Sequence, residues 1–239
     1  MAEAVRSAKF DKKRHEILRA AARVFARLGF HRASLVDLGE ELRVTPAALY
    51  YYAKSKDQLL NDCSDVALVM VREALEASQR EGADGLARFR AFGRRHADIV
   101  CDDFGRCLVV NTANDLPPDL RRRNLAQRRS LNDTLRALIR GGIDDGSIRP
   151  CDDRLLASLL FNTINPMARW WSPKGPRSPA EIADSYLDMI VGGIGAADTG
   201  AQRREGKPGR RVRGQNVAPA RSNGTKRPRR SPVEDAQTG

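Results

Sequence analysis

Between Thr45 and Lys56 the chain runs TPAALYYYAKSK, placing two aliphatic hydroxyls, a proline, three alanines, three phenols and two lysines within twelve positions. None of these groups is arranged for bond-making chemistry. They suit non-covalent recognition of a polyanion: tyrosine and threonine hydroxyls hydrogen-bond phosphate or base edges, and lysine places a point charge beside a phosphate. Ala47 and Ala48 are small enough to let a backbone approach base edges closely. Tyr50, Tyr51 and Tyr52 are consecutive, so on a helix they point in three directions and cannot all enter a core. Lys56 opens the next helix, where free N–H groups favour an anion.

These groups need a scaffold, and the flanking sequence supplies one. From Asp11 to Leu28, Ile17, Leu18, Ala21, Val24, Phe25 and Leu28 recur on one helical face, with Gly29 as the stop. Ser34 reads as an N-cap, and Asp37 three residues on gives a capping-box spacing. Leu35, Leu38 and Leu42 line one face of a second helix. Arg43-Val44 makes the turn, Thr45 caps a third helix, and Pro46 occupies its first position, where a missing N–H costs nothing. Leu49 is the expected core anchor. Two short helices joined by a tight turn are what a major-groove reader requires.

The same residues resemble the TetR family of bacterial transcriptional regulators over about the first sixty positions. The resemblance rests on RLGF (Arg27 to Phe30), SLVDLGEELRVTPAALYYY (Ser34 to Tyr52) and KSKDQLL (Lys54 to Leu60). It implies that the third helix reads bases, with Thr45, Ala47 and Tyr51 facing the groove, while Tyr50 and Lys56 hold phosphates. The expected DNA-binding set is Ser34, Thr45, Pro46, Ala47, Tyr50, Tyr51 and Lys56. The chain departs from the family pattern where Arg43 replaces the turn glycine, Tyr52 a histidine and Ala53 a phenylalanine. An arginine in a turn that favours positive φ carries strain.

Charge is distributed unevenly. The formal net charge is +12; residues 1–60 carry 12 basic and 7 acidic residues, 61–199 carry 19 and 20, and 200–239 carry 11 and 3. Basic charge therefore sits in the head and the tail, with a neutral middle, as expected of a protein that meets nucleic acid at particular places. The opening MAEAVRSAKFDKKRHE has no apolar signal-peptide core, and the longest apolar run, Val66 to Val71, is too short to span a bilayer. A cytoplasmic protein without membrane partners is expected. Cys63, Cys101, Cys107 and Cys151 form no C-x-x-C pair and only three histidines accompany them, so no metal site is expected. The thiols read as buried or incidental, with Cys101 and Cys107 the pair to test for redox chemistry.

Beyond Lys56 the pattern is helical throughout, with helices expected near 56–81, 85–101, 107–114, 119–145, 152–171 and 179–194. The last two are the most apolar and suit both a core and a homodimer interface of four helices, the arrangement that also spans two half-sites. Pro166 lies inside a helical pattern and should kink it. Arg169-Trp170-Trp171-Ser172-Pro173-Lys174-Gly175-Pro176 resembles the segment linking the last two helices in a TetR subgroup that includes regulators sensing acyl-CoA thioesters. That resemblance implies an anionic effector, with Arg169, Trp170 and, from the basic run Arg121 to Arg129, Arg122 as ligand-site candidates. From about Gly200 the composition suits a disordered basic tail, whose KRPRR (Lys226 to Arg230) would add salt-sensitive attraction to DNA.

The expected architecture is all-α: a flexible arm (1–10), a three-helix helix-turn-helix domain (11–55), a larger helical bundle for ligand binding and dimerisation (56–199) and a basic tail (200–239). The expected function is a homodimeric transcriptional repressor that binds a double-stranded DNA operator and leaves it on binding a small-molecule effector, an acyl-CoA thioester being the leading class. It has no cofactor and no catalytic residues: nucleophile motif, metal spacing, paired carboxylates and phosphate loop are all missing from the sequence. A DNA-binding activator or architectural protein without a ligand stays open as the alternative.

Overall fold

The computed structural model describes residues 2–45, 49, 51–52 and 54–192. Among these, every element is helical: α1 (Ala2–Leu28), α2 (Leu35–Leu42), α3 (Lys56–Glu81), α4 (Gly85–Cys101), α5 (Asp103–Val110), a 3₁₀ turn (Ala113–Asp115), α6 (Pro118–Asp144), α7 (Asp153–Ile164), α8 (Met167–Trp170) and α9 (Pro179–Gly192). None is long and apolar enough to cross a membrane. The readings made for Pro46, Ala47, Tyr50 and the basic tail lie outside the described residues.

α1 obeys the predicted periodicity. Ile17, Leu18, Ala21, Val24 and Phe25 are buried, and Gly29 ends the helix in the left-handed region at φ +76°. The helix starts at Ala2, not Asp11, so residues 2–10 are helical where an arm was expected. The stretch AEAVRSAKF holds three alanines and neither Gly nor Pro, so nothing in it breaks a helix.

α1 packs on both α3 and α5, and one core runs from Ile17 through Phe25, Leu60, Phe92 and Leu135 to Leu187. Each fully buried aliphatic or phenylalanine side chain stabilises this core by roughly 1.5–3 kcal/mol. The helix expected at 107–114 lies instead at 103–110. Asp102 caps it, its carboxylate accepting from the Phe104 N–H at 3.0 Å. The approach of α4 to α5 is close enough that a β-carbon on Gly105 would sit 1.8 Å from the Ile99 carbonyl oxygen, so glycine is required there.

Pro166 interrupts the last long apolar stretch as predicted, ending α7 at Ile164 and leaving α8 as a single turn. α7 and α9 each have a buried face (Ala157, Leu160, Ile164; Ile182, Ala183, Leu187) and an exposed apolar face (Leu155, Leu159; Met189, Val191).

A helix-turn-helix surface and an internal cavity

Ser34 caps α2 in extended backbone. Its Oγ accepts from the Asp37 N–H at 3.2 Å, while the Asp37 carboxylate accepts from the Ser34 N–H at 2.6 Å, the reciprocal box read from the sequence. The hydrogen bonds from the Ser34 hydroxyl and N–H hold the Asp37 carboxyl below its usual value. Arg43 follows α2 in the left-handed region at φ 54°, its N–H closing onto the Glu40 and Gly39 carbonyls, so the expected strain is present. Leu38 and Leu49 are buried on either side of the turn, and Thr45 and Tyr51 are exposed. Phe10 stacks on Tyr52, with ring centroids 5.4 Å apart, and meets Tyr51 edge-on. The early part of α1 thus braces this segment.

Lys56 does more than carry a surface charge. Its ammonium donates to the Phe30 carbonyl at 2.8 Å and the Ala33 carbonyl at 3.0 Å, and lies 4.2 Å from the centre of the Phe30 ring. Two of its three N–H groups therefore hold the loop that leads into Ser34. Several arginines of α1 are also engaged: Arg14 with Asp62, Arg19 with Asp102, and Arg23 with Glu41 and Asp103. The Asp102 hydrogen bond raises the Arg19 pKa further. Part of the head's positive charge is thus neutralised by its own body. Arg32, Arg43 and Lys54 remain exposed around the turn and were not among the DNA contacts expected from the sequence.

A cavity of about 480 Å³ lies within the bundle. Leu68, Val71, Ile99, Val100, Leu131 and Phe161 supply apolar wall; His96, Asn111, Arg128 and Asn165 supply polar groups. Among the described residues no acidic side chain lines it. His96 stacks on Phe92 at 5.4 Å, and its Nε2 lies 2.8 Å from Asn165 Oδ1, which the break at Pro166 aims inward. With an amide oxygen as partner, Nε2 carries the proton. Burial pushes the His96 pKa down to about 4, so the ring is neutral.

Arg128 is the cation of the cavity. Its Nε donates to Asn124 Oδ1 at 2.7 Å and an Nη donates to the Leu108 carbonyl at 3.2 Å, a terminal carbonyl of α5. Both partners are neutral, and burial lowers the arginine's pKa.

The ligand candidates chosen from sequence do not line this cavity. Arg122 is exposed and pairs with Asp119. Arg169 and Trp170 are exposed, Arg169 bordering a separate polar basin that also includes Arg23, Arg27 and Arg106. The inward tryptophan is Trp171, whose carbonyl accepts from Arg106 at 2.6 Å. Within the basic run, Arg121 and Arg128 are seven residues apart and share the inner face of α6, whereas Arg122, Arg123 and Arg129 face solvent. A seven-residue spacing was the available signal; which face turned inward was not.

All four cysteines are free. Cys107 adjoins Cys63 in the core. Burial, with the Cys107 thiol beside it, pushes the Cys63 thiol well up, and burial pushes Cys101 to about 11. Neither thiol is a thiolate at neutral pH. Among the described residues no group of three acidic, histidine or cysteine side chains is placed to hold a metal.

Comparison with known proteins adds to this geometry. Residues 17–63 match the family described as bacterial regulatory proteins, tetR family, and residues 82–194 match the tetracyclin repressor-like C-terminal domain. The chain is 31% identical over 194 residues to the HTH-type transcriptional repressor KstR2 of Mycolicibacterium smegmatis, covering 76% of this chain and 90% of that one. It is 23% identical over 188 residues to the fatty acid metabolism regulator protein of Bacillus subtilis, covering 75% and 94%. Among solved structures, it is similar to the TetR family regulator PfmR from Thermus thermophilus, at 31% identity and a TM-score of 0.68, covering 75% of this chain and 99% of that one. AibR in complex with isovaleryl coenzyme A and operator DNA matches in fold, at 23% identity and a TM-score of 0.67, covering 74% and 97%.

Proposed function

The chain belongs to the TetR family of transcriptional regulators, not to a family of enzymes, and from that premise we propose that it is a homodimeric repressor released from its operator by an acyl-CoA thioester. The observation that carries the effector reading is the cavity: among the described residues it has apolar walls, no acid, and the Arg128 guanidinium, whose partners Asn124 and the Leu108 carbonyl are neutral. An apolar chain fits such walls, and an anion supplies the charge partner that Arg128 lacks within the cavity. The acyl chain enters the cavity, and the coenzyme's phosphates lie toward Arg128 and the arginine-rich surface of α6. The solved AibR complex holds a ligand of this class in the same fold, which favours the reading.

The DNA side of the proposal keeps Thr45, Ala47 and Tyr51 at the groove, Pro46 at the start of the reading helix, Tyr50 on phosphate, and Ser34 at the mouth of α2. Lys56 positions the 30–33 loop and offers its third N–H to phosphate. Arg32, Arg43 and Lys54 add phosphate contacts that carry affinity without sequence choice. The exposed Leu155, Leu159, Met189 and Val191 form the interface with a second copy. The protein acts in the cytoplasm. Release follows if the effector binds the non-operator spacing of the two heads more tightly than the operator spacing; equal affinity would shift nothing.

A salt-controlled gel shift tests this, using DNA upstream of the chain's own gene, a scrambled competitor and acyl-CoA thioesters of graded length. Sequence-specific retardation abolished by one length class is expected. Specific binding indifferent to all thioesters removes the effector class, and equal binding to scrambled DNA removes the operator.

A further inference from the structure

Asn111 belongs to two places at once. It follows α5 in the wall of the cavity, and it is buried against the end of α1. Its Oδ1 accepts from the Phe30 N–H at 2.8 Å. Its Nδ2 donates to the Cys107 carbonyl at 2.9 Å and the Phe25 carbonyl at 3.3 Å. One amide therefore joins the last turn of α1, the loop leading to α2 and the end of α5.

The loop continues the connection. Phe30 and Ala33 present the carbonyls that receive Lys56, and Ser34, next in the chain, caps α2. A second, exposed link runs alongside, with His31 Nε2 2.8 Å from Asp115 Oδ1 in the 3₁₀ turn, beside Ala113 and Asn114 of the cavity wall. Core packing alone would allow the wall to shift without consequence for the loop. The Asn111 amide does not: moving it strips the partner from the buried Phe30 N–H, a group costly to leave unpaired, while the Phe25 carbonyl loses one donor and keeps the Gly29 N–H at 3.0 Å.

We propose that Asn111 is the positioning residue through which occupancy of the cavity reaches the DNA-reading head. An occupant that displaces the 109–114 wall withdraws the amide from Phe30, frees the 30–33 loop and alters the seat of α2. The inference rests on the effector reading of the cavity, but not on the chemical class of the effector.

The test replaces the ligand with a tethered occupant. Val109 is half-buried and lines the cavity, so Val109→Trp adds bulk into it. Operator affinity is measured by fluorescence anisotropy for the wild type, V109W, N111L and the double variant. V109W is expected to weaken operator binding by about tenfold, within the usual range of coupling between two sites. N111L is expected to weaken it too, and the double variant to match N111L within about twofold.

Unchanged affinity in V109W, or effects that multiply in the double variant, would overturn the proposal. Because leucine in place of a buried amide can unfold the chain, hydrogen exchange at the Phe30 amide is followed in V109W with Asn111 intact. Faster exchange there, with Leu59 and Leu60 amides unchanged, supports the latch; weakened DNA binding with Phe30 still protected removes it. Dodecanoyl-CoA separates the two readings. If it neither binds the wild type by calorimetry nor releases DNA while the variant cycle holds, the thioester class fails and the latch stands. If it releases DNA with Phe30 protection unchanged, the latch fails and the thioester stands.

Discussion

Arg128→Gln isolates the charge in the cavity. Glutamine keeps a hydrogen-bond donor near the Leu108 carbonyl and the Asn124 oxygen, the two groups Arg128 now reaches at 3.2 and 2.7 Å, and removes the positive charge. Two effects on stability oppose each other. Removing a cation from a half-buried site relieves desolvation, and losing one of two hydrogen bonds leaves an acceptor unpaired, each about 1–3 kcal/mol. Net stability should therefore change by no more than about 1 kcal/mol. Effector binding has no such compensation. A hydrogen bond from a charged donor to an anion contributes about 1.5–3 kcal/mol, which at 1.4 kcal/mol per decade is a loss of roughly 10- to 150-fold. Calorimetry with dodecanoyl-CoA should show that loss, and methyl dodecanoate, which fills the apolar wall without a charge, should lose less than about threefold. Raising salt should narrow the difference between wild type and variant only weakly, since a half-buried pair is poorly screened. The reasoning is refuted if R128Q binds the thioester as the wild type does, or if it loses the neutral ester to the same degree.

Three further outcomes follow from the geometry. His96 is neutral when folded and has a pKa near 4, against 6.5 in the unfolded chain, so the unfolded state binds the extra proton between those values. Stability should then fall as pH drops from 6.5 toward 4, by on the order of 3 kcal/mol, and thermal melts of His96→Gln should lack that share of the slope. Ser34→Ala removes the cap of α2 and should cost about 1 kcal/mol by denaturant unfolding; an unchanged midpoint would mean the box contributes nothing. Placing aspartate at both Leu155 and Leu159 on the exposed face of α7 should give a monomer by analytical ultracentrifugation and abolish high-affinity operator binding; a dimer of wild-type strength would remove α7 from the interface.

Local features were the most legible. The Gly29 stop, the Ser34–Asp37 box, the left-handed Arg43, the Leu49 anchor and the break at Pro166 each depend on residues within about a turn of one another, where helix geometry already dictates who meets whom. The helices expected near 56–81 and 85–101 lie there for the same reason, the first between the Ser55 cap and Gly82 and the second between Asp84 and Asp102. The start of α1 was misplaced because charge and the lack of a hydrophobic stripe suggested an arm, whereas helix propensity has no reason to stop there.

By itself, then, the sequence determined the helical class, many of the helix ends, the head-and-body order and, through its motifs, the TetR family. It did not determine which polar groups share a space. A helix presents every side chain to some direction, and only packing against partners distant in sequence selects the direction that becomes interior. Arg128 faces the cavity and Arg122 faces water because α6 lies against α3 and α4 along one side. Lys56 turned from an exposed charge into a brace when the 30–33 carbonyls came within its reach. Asn111 stands 81 positions from the Phe30 N–H it holds, a separation over which no periodicity or cap carries information. Local hydrogen bonding settled the elements; burial settled which of their side chains could act together.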